Sequence, residues 1–169
     1  MSSDFPQELV QVLRAARRVT VLTGAGMSAE SGGYAFSDPQ DGLWSRFRPE
    51  DLSNANAFRK DPRLVWDWYA WRRRAVAAAA PNPGHLALAR MEQRVPEFTL
   101  ITQNVDDLHA RAGSRNLIEL HGSIMRSKCF DENVVMTAAE GDDGHPPQCT
   151  RCGALLRPDI IWFGEPIPE

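Results

Sequence analysis

The sequence predicts an α/β domain organised around a parallel sheet, and three observations carry that expectation. The apolar run Val19-Thr20-Val21-Leu22 ends in Thr23-Gly24-Ala25-Gly26-Met27-Ser28-Ala29-Glu30-Ser31-Gly32. A second run, Phe98-Thr99-Leu100-Ile101, ends in Thr102-Gln103-Asn104-Val105-Asp106, and a third extended stretch, 116–121, ends in His121. Between them the apolar residues recur at helical spacing, the alternation expected of strands covered by helices.

Taken in order, Phe5, Leu9, Val12, Leu13 and Ala16 trace a helix, with Asp4 as its N-cap. The first strand covers 18–23. Residues 32–60, rich in Gly, Pro, Asp and aromatics, read as a long irregular segment, too long for a simple connection and so functional. A helix runs from about Asp61 to Ala80, with Pro62 in its first turn and Pro81 just past its end. Asn82-Pro83 makes a turn, and Gly84 to Arg94 form another helix. Strand 98–102, a short helix near 105–112 and strand 116–121 complete the alternation. Residues 123–156, polar and holding all three Cys, break it and read as a small module inserted in a single domain, 1–169. Asp159-Ile160-Ile161-Trp162-Phe163 is a final extended run.

Composition excludes some function classes. With 19 basic and 22 acidic residues, a net charge of −3 gives no electrostatic footprint for nucleic acid or an anionic membrane. No run approaches the ~18 apolar residues of a membrane span, and no signal-peptide core is present near Met1. Cys149-x-x-Cys152 suits a metal or redox pair in a reducing compartment better than a disulfide framework. The expectation is a cytoplasmic chain of 169 residues, long enough to bury a sizeable core.

The motifs then supply chemistry. Gly24-x-Gly26-x-x-Ala29 after a strand fits the Rossmann-like dinucleotide fingerprint, in which small residues let backbone N–H groups reach a pyrophosphate at a helix N-terminus. The usual second strand with an acidic ribose ligand is absent within the next ~30 residues, so this is no ordinary dehydrogenase unit. Gln103-Asn104-x-Asp106 lies at the carboxyl end of its strand, where open α/β sheets bind ligands. Its amide and carboxylate match a carboxamide; the same residues also suit a helix cap before Leu108. His121 suits a general base, since an imidazole titrates near pH ~6.5, although a strand-end histidine is also a common structural residue.

In this order and wording, the motifs resemble the sirtuins, NAD-dependent protein lysine deacylases, from about Val19 to the last residue. The resemblance implies NAD bound by Gly24, Ala25, Gly26, Ala29, Glu30, Phe36, Gln103, Asn104, Val105 and Asp106, with His121 as the base. It implies that an acyl-lysine oxygen attacks the nicotinamide ribose, giving nicotinamide, free lysine and O-acyl-ADP-ribose. His85, in Pro83-Gly84-His85-Leu86, falls in a helix-start motif and reads as structural. The stretch Leu156-Arg157-Pro158-Asp159-Ile160-Ile161-Trp162-Phe163-Gly164-Glu165 resembles the family's substrate-binding strand, where an acyl-lysine peptide adds through main-chain bonds, with Ile161, Trp162, Phe163 and Gly164 as the binding residues.

Two finer features follow. Tyr69 and Arg72 stand three apart on a helix, hence on one face, where a phenol and a guanidinium can grip a carboxylate; a solvated basic face Arg72-Arg73-Arg74 is the plainer reading. The spacing resembles the sirtuin subgroup that removes succinyl and malonyl groups. Zinc is expected on Cys129, Cys149 and Cys152, with Glu132 standing where the family usually has a fourth Cys and a carboxylate, His145 or water completing the set. Gly33, Tyr34 and Ser37 depart from the family's loop. Nothing resembles the family's later strands, so the expectation is a sheet incomplete at its C-terminus, with NAD hydrolysis, ADP-ribosyl transfer or a truncated fragment with a binding role as alternatives.

Overall fold

The computed structural model describes residues 5–32, 46–136 and 145–167. Helix α1 (Gln7–Ala15) leads into β1 (Arg18–Thr23) and a 3-10 helix (Ala25–Ser31). Helices α2 (Pro49–Leu52), α3 (Ala55–Lys60), α4 (Pro62–Ala78) and α5 (Pro83–Glu92) follow, then β2 (Glu97–Thr102), α6 (Leu108–Arg111) and β3 (Leu117–Glu119). The chain continues through β4 (Gly122–Cys129), β5 (Val135–Met136) and β6 (Leu156–Ile160).

The strands make two sheets. The first is parallel, in the order β1-β2-β3, with Val19 opposite Phe98 and Leu100 opposite Leu117. Phe98, Leu100 and Thr102 are buried, every second residue of the central strand, on the side where α5 packs. At its carboxyl edge Gln103 N donates to Thr23 O, and Leu120 N donates to Thr102 O. The second sheet is antiparallel, in the order β5-β4-β6, and only Leu120 and His121 separate β3 from β4.

Helix α4 forms because Asp61 accepts a hydrogen bond from Leu64 N (2.9 Å) and Pro62 presets the first turn. Of its buried residues, Val65, Trp68, Tyr69, Arg72 and Val76 recur at three and four positions as one stripe facing inward, and Trp66 is buried beside them. Arg111 holds the other end through the carbonyls of Val76 and Ala79. The stripe packs with Leu52, Phe58, Ile124, Ile160 and Trp162 into the main core. Phe58 packs against Phe130 and Trp162 at ring separations of 5.0 and 5.5 Å. Burying one such ring stabilises the fold by ~1.5–3 kcal/mol.

Several expectations need correction. The segment 32–60 is not wholly irregular: α2 and α3 lie in it, α3 capped by Asn54, whose Oδ1 accepts from Ala57 N. The glycine loop leads into a 3-10 helix, not an α-helix. Strand 116–121 shortens to β3, and the last strand spans Leu156–Ile160, leaving 161–164 as a turn-containing segment. Helix α1 begins after Pro6, while Asp4 lies outside the described residues. All five residues of β6 are buried, charges included, because Asp159 pairs with Arg126 (2.9 Å) and Arg157 with Glu165 (2.8 Å). Buried charges without such partners would each cost several kcal/mol, in order of magnitude.

Candidate active site

One pocket of about 430 Å³ opens where the carboxyl edge of the parallel sheet meets the end of β6. Ala25, Ser28, Gln103, Asn104, Val105, Asp106 and His121 line one side. Ser53, Arg72 and residues 160–165 line the other.

The glycine loop is held from behind. Asn82, the N-cap of α5, donates from Nδ2 to Met27 O (2.7 Å) and to Ser31 Oγ (3.0 Å). Neither Gly24 nor Gly26 takes a positive φ, and a Cβ added to either would meet nothing within 4 Å among the described residues. Backbone conformation therefore does not require glycine there; the small residues leave open space against the loop, as a closely approaching ligand demands. Ala29 and Glu30 lie exposed on the 3-10 helix and do not line the pocket. Phe36, with Gly33, Tyr34 and Ser37, lies outside the described residues.

Behind the pocket wall runs a buried polar network. Ser28 Oγ donates to Asp106 Oδ2 (2.6 Å) and accepts from Asn104 Nδ2 (3.0 Å), whose amide also reaches Gly24 O (3.0 Å). Asp106 additionally accepts from Leu108 N through Oδ1 (3.1 Å), so the carboxylate caps the next turn and faces the pocket at once. His85 Nδ1 accepts from Asn82 N (3.2 Å), which leaves its Nε2 to meet Ser28 Oγ at 3.5 Å. His109 meets Thr23 Oγ1 at 3.0 Å, and Thr23 donates on to Thr102. Burial holds His85 below the usual histidine range, against the pull of Asp106. Burial, helped by His85, takes His109 down to about 4. Both rings stay neutral near pH 7.

His121 Nδ1 sits 3.0 Å from the carbonyl oxygen of Gln103. A carbonyl accepts only, so in the neutral ring Nδ1 carries the hydrogen and Nε2 keeps its lone pair. The next residue fixes the placement: Gly122 pairs with Ile160, and Ile161 N donates to His121 O (3.0 Å). Ile161, Trp162, Phe163 and Gly164 thereby enter the same pocket as His121.

A match to the Sir2 family covers residues 24–169. The chain belongs to that family. Curated Sir2 relatives include an NAD-dependent protein deacylase of Ralstonia nicotianae, 52% identical over 92% of this chain and 63% of its own length. Another, from Aeropyrum pernix, is 50% identical over 95% of this chain and 65% of its own length. A solved Sir2 homologue in complex with NAD superposes with a TM-score of 0.88 at 47% identity, covering 98% of this chain and 65% of that one. A Sir2 point mutant with p53 peptide and NAD gives a TM-score of 0.77 at 30% identity, covering 96% of this chain and 65% of that one. The chain thus spans a little under two thirds of the length of these Sir2 relatives.

Against this Sir2 frame, Arg72 reaches the pocket wall, its guanidinium 5.0 Å over the Trp68 ring. Tyr69 does not line the wall: it is 0% exposed, and its hydroxyl lies 2.8 Å from Ser53 Oγ and 3.0 Å from Trp162 Nε1. Apart from the pocket, Cys129, Glu132, Cys149 and Cys152 bring their ligand atoms within 4.8 Å of one another. Three sulfurs and a carboxylate at such spacing fit tetrahedral zinc, whose bonds are ~2.0–2.3 Å. Backbone N–H groups of Arg151 and Cys152 hold the Cys149 thiol below its usual range, toward the thiolate a metal needs. His145 is not in the cluster.

Sequence reasoning missed Ser28, Ser53 and Glu165. Ser28 sits inside the glycine motif and could have been found as its one buried polar position. Ser53 has no comparable signal, because only the tertiary fold brings α2 beside α4. Glu165 reveals itself only through a partner, Arg157, eight residues away.

Proposed function

We propose that this chain carries an NAD-dependent protein lysine deacylase site, acting on an acyl-lysine segment of a protein and forming nicotinamide, free lysine and O-acyl-ADP-ribose. The observation that carries the reading is the convergence of Asn104, Asp106, His121 and the 161–164 segment on one pocket. Bound NAD would supply a ribose carbon bearing nicotinamide as its leaving group. Gly24 and Gly26 leave space for the phosphates, while Gln103, Asn104, Val105 and Asp106 receive the nicotinamide end. The Asn104 amide is already oriented by Gly24 O and Ser28. His121 Nε2 takes the proton from a ribose hydroxyl, and residues 161–164 hold the peptide.

Arg72 extends the reading to acyl chains that end in a carboxylate, such as succinyl and malonyl, since its planar fork lies on the pocket wall. Zinc on Cys129, Cys149 and Cys152, with Glu132 as the fourth ligand, would brace β4 against β6 in a small module within a single catalytic domain. Cysteines clustered for a metal rather than paired as a disulfide suit a reducing, cytoplasmic setting. No described helix is long and apolar enough to cross a membrane.

The test is nicotinamide release from NAD by the purified chain, with and without an acyl-lysine peptide. Release that requires the peptide is expected. Equal release without peptide would mean NAD hydrolysis, and no release at all would overturn the reading.

A further inference from the structure

We propose that Arg157 and Glu165 are positioning residues for the peptide: their ion pair sets the turn 162–165 before any peptide arrives. The inference rests on the deacylase reading and deepens it, because residues 161–164 hold the acyl-lysine segment in that reading.

The turn closes with a single main-chain hydrogen bond, from Glu165 N to Trp162 O at 2.9 Å. One such bond does not balance the conformational freedom that four ordered residues give up, so other contacts must hold the turn. The Glu165 side chain supplies them. Its Oε2 accepts from Trp162 N at 2.9 Å, so Glu165 meets Trp162 through its main chain and its side chain together. Both oxygens of the same carboxylate face Arg157 Nη2, at 2.8 and 2.9 Å. The Arg157 guanidinium also lies 4.0 Å over the Trp162 ring, where the face of an indole attracts a cation. Arg157 therefore holds Trp162 by its ring and, through Glu165, by its amide.

The grip is anchored in a paired strand. Arg157 is buried on β6 and stands opposite Lys128 of β4, a second buried cation. Asp159 faces Lys128 at 3.8 Å, which leaves Glu165 as the counter-charge of Arg157. A guanidinium buried without one would be strongly destabilising, so folding itself fixes the carboxylate and, with it, the turn. Trp162 is thereby held inward while Phe163 beside it is exposed. A segment set in this way binds its peptide without the ordering cost that a loose loop would meet.

The test follows the turn and the peptide together. Hydrogen exchange in 161–165 and affinity for a labelled acetyl-lysine peptide are measured for the 169-residue chain and for Arg157→Met, Arg157→Lys and Glu165→Gln. Arg157→Met and Glu165→Gln are expected to speed exchange in 161–165 and to leave β1 and β2 as protected as in the parent chain. Both should weaken peptide binding roughly tenfold, the cost of re-ordering about one residue on binding. Arg157→Lys should keep most of the affinity, because both carboxylate oxygens face one nitrogen, which an ammonium can replace. If Arg157→Met does not fold, the contrast between Arg157→Lys and Glu165→Gln decides in the same way. Faster exchange throughout the chain, or no rescue by lysine, would show that the pair only supports the fold and would overturn the inference. Unchanged peptide affinity in the variants would overturn it too, leaving the deacylase reading intact if the parent chain releases nicotinamide with the peptide. A parent chain that binds no acyl-lysine peptide would overturn both.

Discussion

The Nδ1 of His121 faces the main-chain carbonyl of Gln103 across 3.0 Å, so the imidazole is oriented by the first residue of the amide–carboxylate motif. His121→Ala should lower nicotinamide release with acyl peptide by ~10²–10⁴-fold, the usual loss for a general base. Calorimetric titration should find NAD binding little changed, because the imidazole acts on the ribose rather than anchoring it. Undiminished turnover would place the base elsewhere.

Arg72→Met should erase a preference for succinyl- over acetyl-lysine peptide in kcat/KM and spare acetyl turnover. The expected change is roughly ten- to a hundredfold, from ~1.5–3 kcal/mol for a charge-assisted hydrogen bond. Equal losses on both substrates would mean that its packing over Trp68 supports the fold instead.

Purified protein should contain close to one zinc per chain by elemental analysis. Chelation should speed hydrogen exchange in β4 and β6 well before β1, since the ligands lie on or beside the antiparallel sheet. Glu132→Gln should weaken metal retention more mildly than Cys149→Ser, because thiolates bind zinc more strongly than an amide or carboxylate oxygen. Metal content far below one per chain would remove zinc from the account.

Acidification should expose the buried histidines. His109 is held to about 4 when folded, chiefly by burial, whereas an unfolded histidine titrates near ~6.5. Between those values the unfolded state binds a proton that the folded state refuses, so stability is complete above about pH 6.5 and falls as the pH drops toward 4. His109→Gln should flatten that part of the Tm-against-pH curve. An unchanged slope would show that other groups carry it.

Gly122→Ala should be strongly destabilising. Gly122 has φ +77°, and an added Cβ would overlap the Asp159 carbonyl oxygen across the strand pair. The left-handed backbone alone costs about 1–2 kcal/mol for a residue with a side chain, and parting β4 from β6 adds to it. A lowered Tm accompanied by lost turnover would show the coupling; a neutral substitution would deny it.

The contrast between β1 and β6 explains what the sequence can reveal. Val19, Val21 and their glycine boundary announce β1, because alternation and turn residues are local signals. Leu156-Arg157-Pro158-Asp159-Ile160 looks polar, yet every residue is buried, since Arg126 and Glu165 neutralise its charges from elsewhere in the chain. Helices α2 and α3 are too short for periodicity to show. In the site, Gln103, Asn104, Asp106 and His121 are legible because their spacing to a strand end is local. The inward turn of Tyr69 is not, because only the tertiary approach of Ser53 and Trp162 decides which hydroxyl reaches the pocket.

Leu120 and His121 are the only residues between β3 and β4, and that brevity makes chain length itself decide where the imidazole stands. The two residues form a turn pinned on both sides by main-chain bonds, Leu120 N to Thr102 O and Ile161 N to His121 O. One residue inserted between Glu119 and Gly122 would break one of these bonds or shift the imidazole from the Gln103 carbonyl, with every original side chain still present. At this junction a deletion or insertion would be more damaging than most substitutions, because the spacing decides where His121 stands as firmly as its identity decides what it can do there.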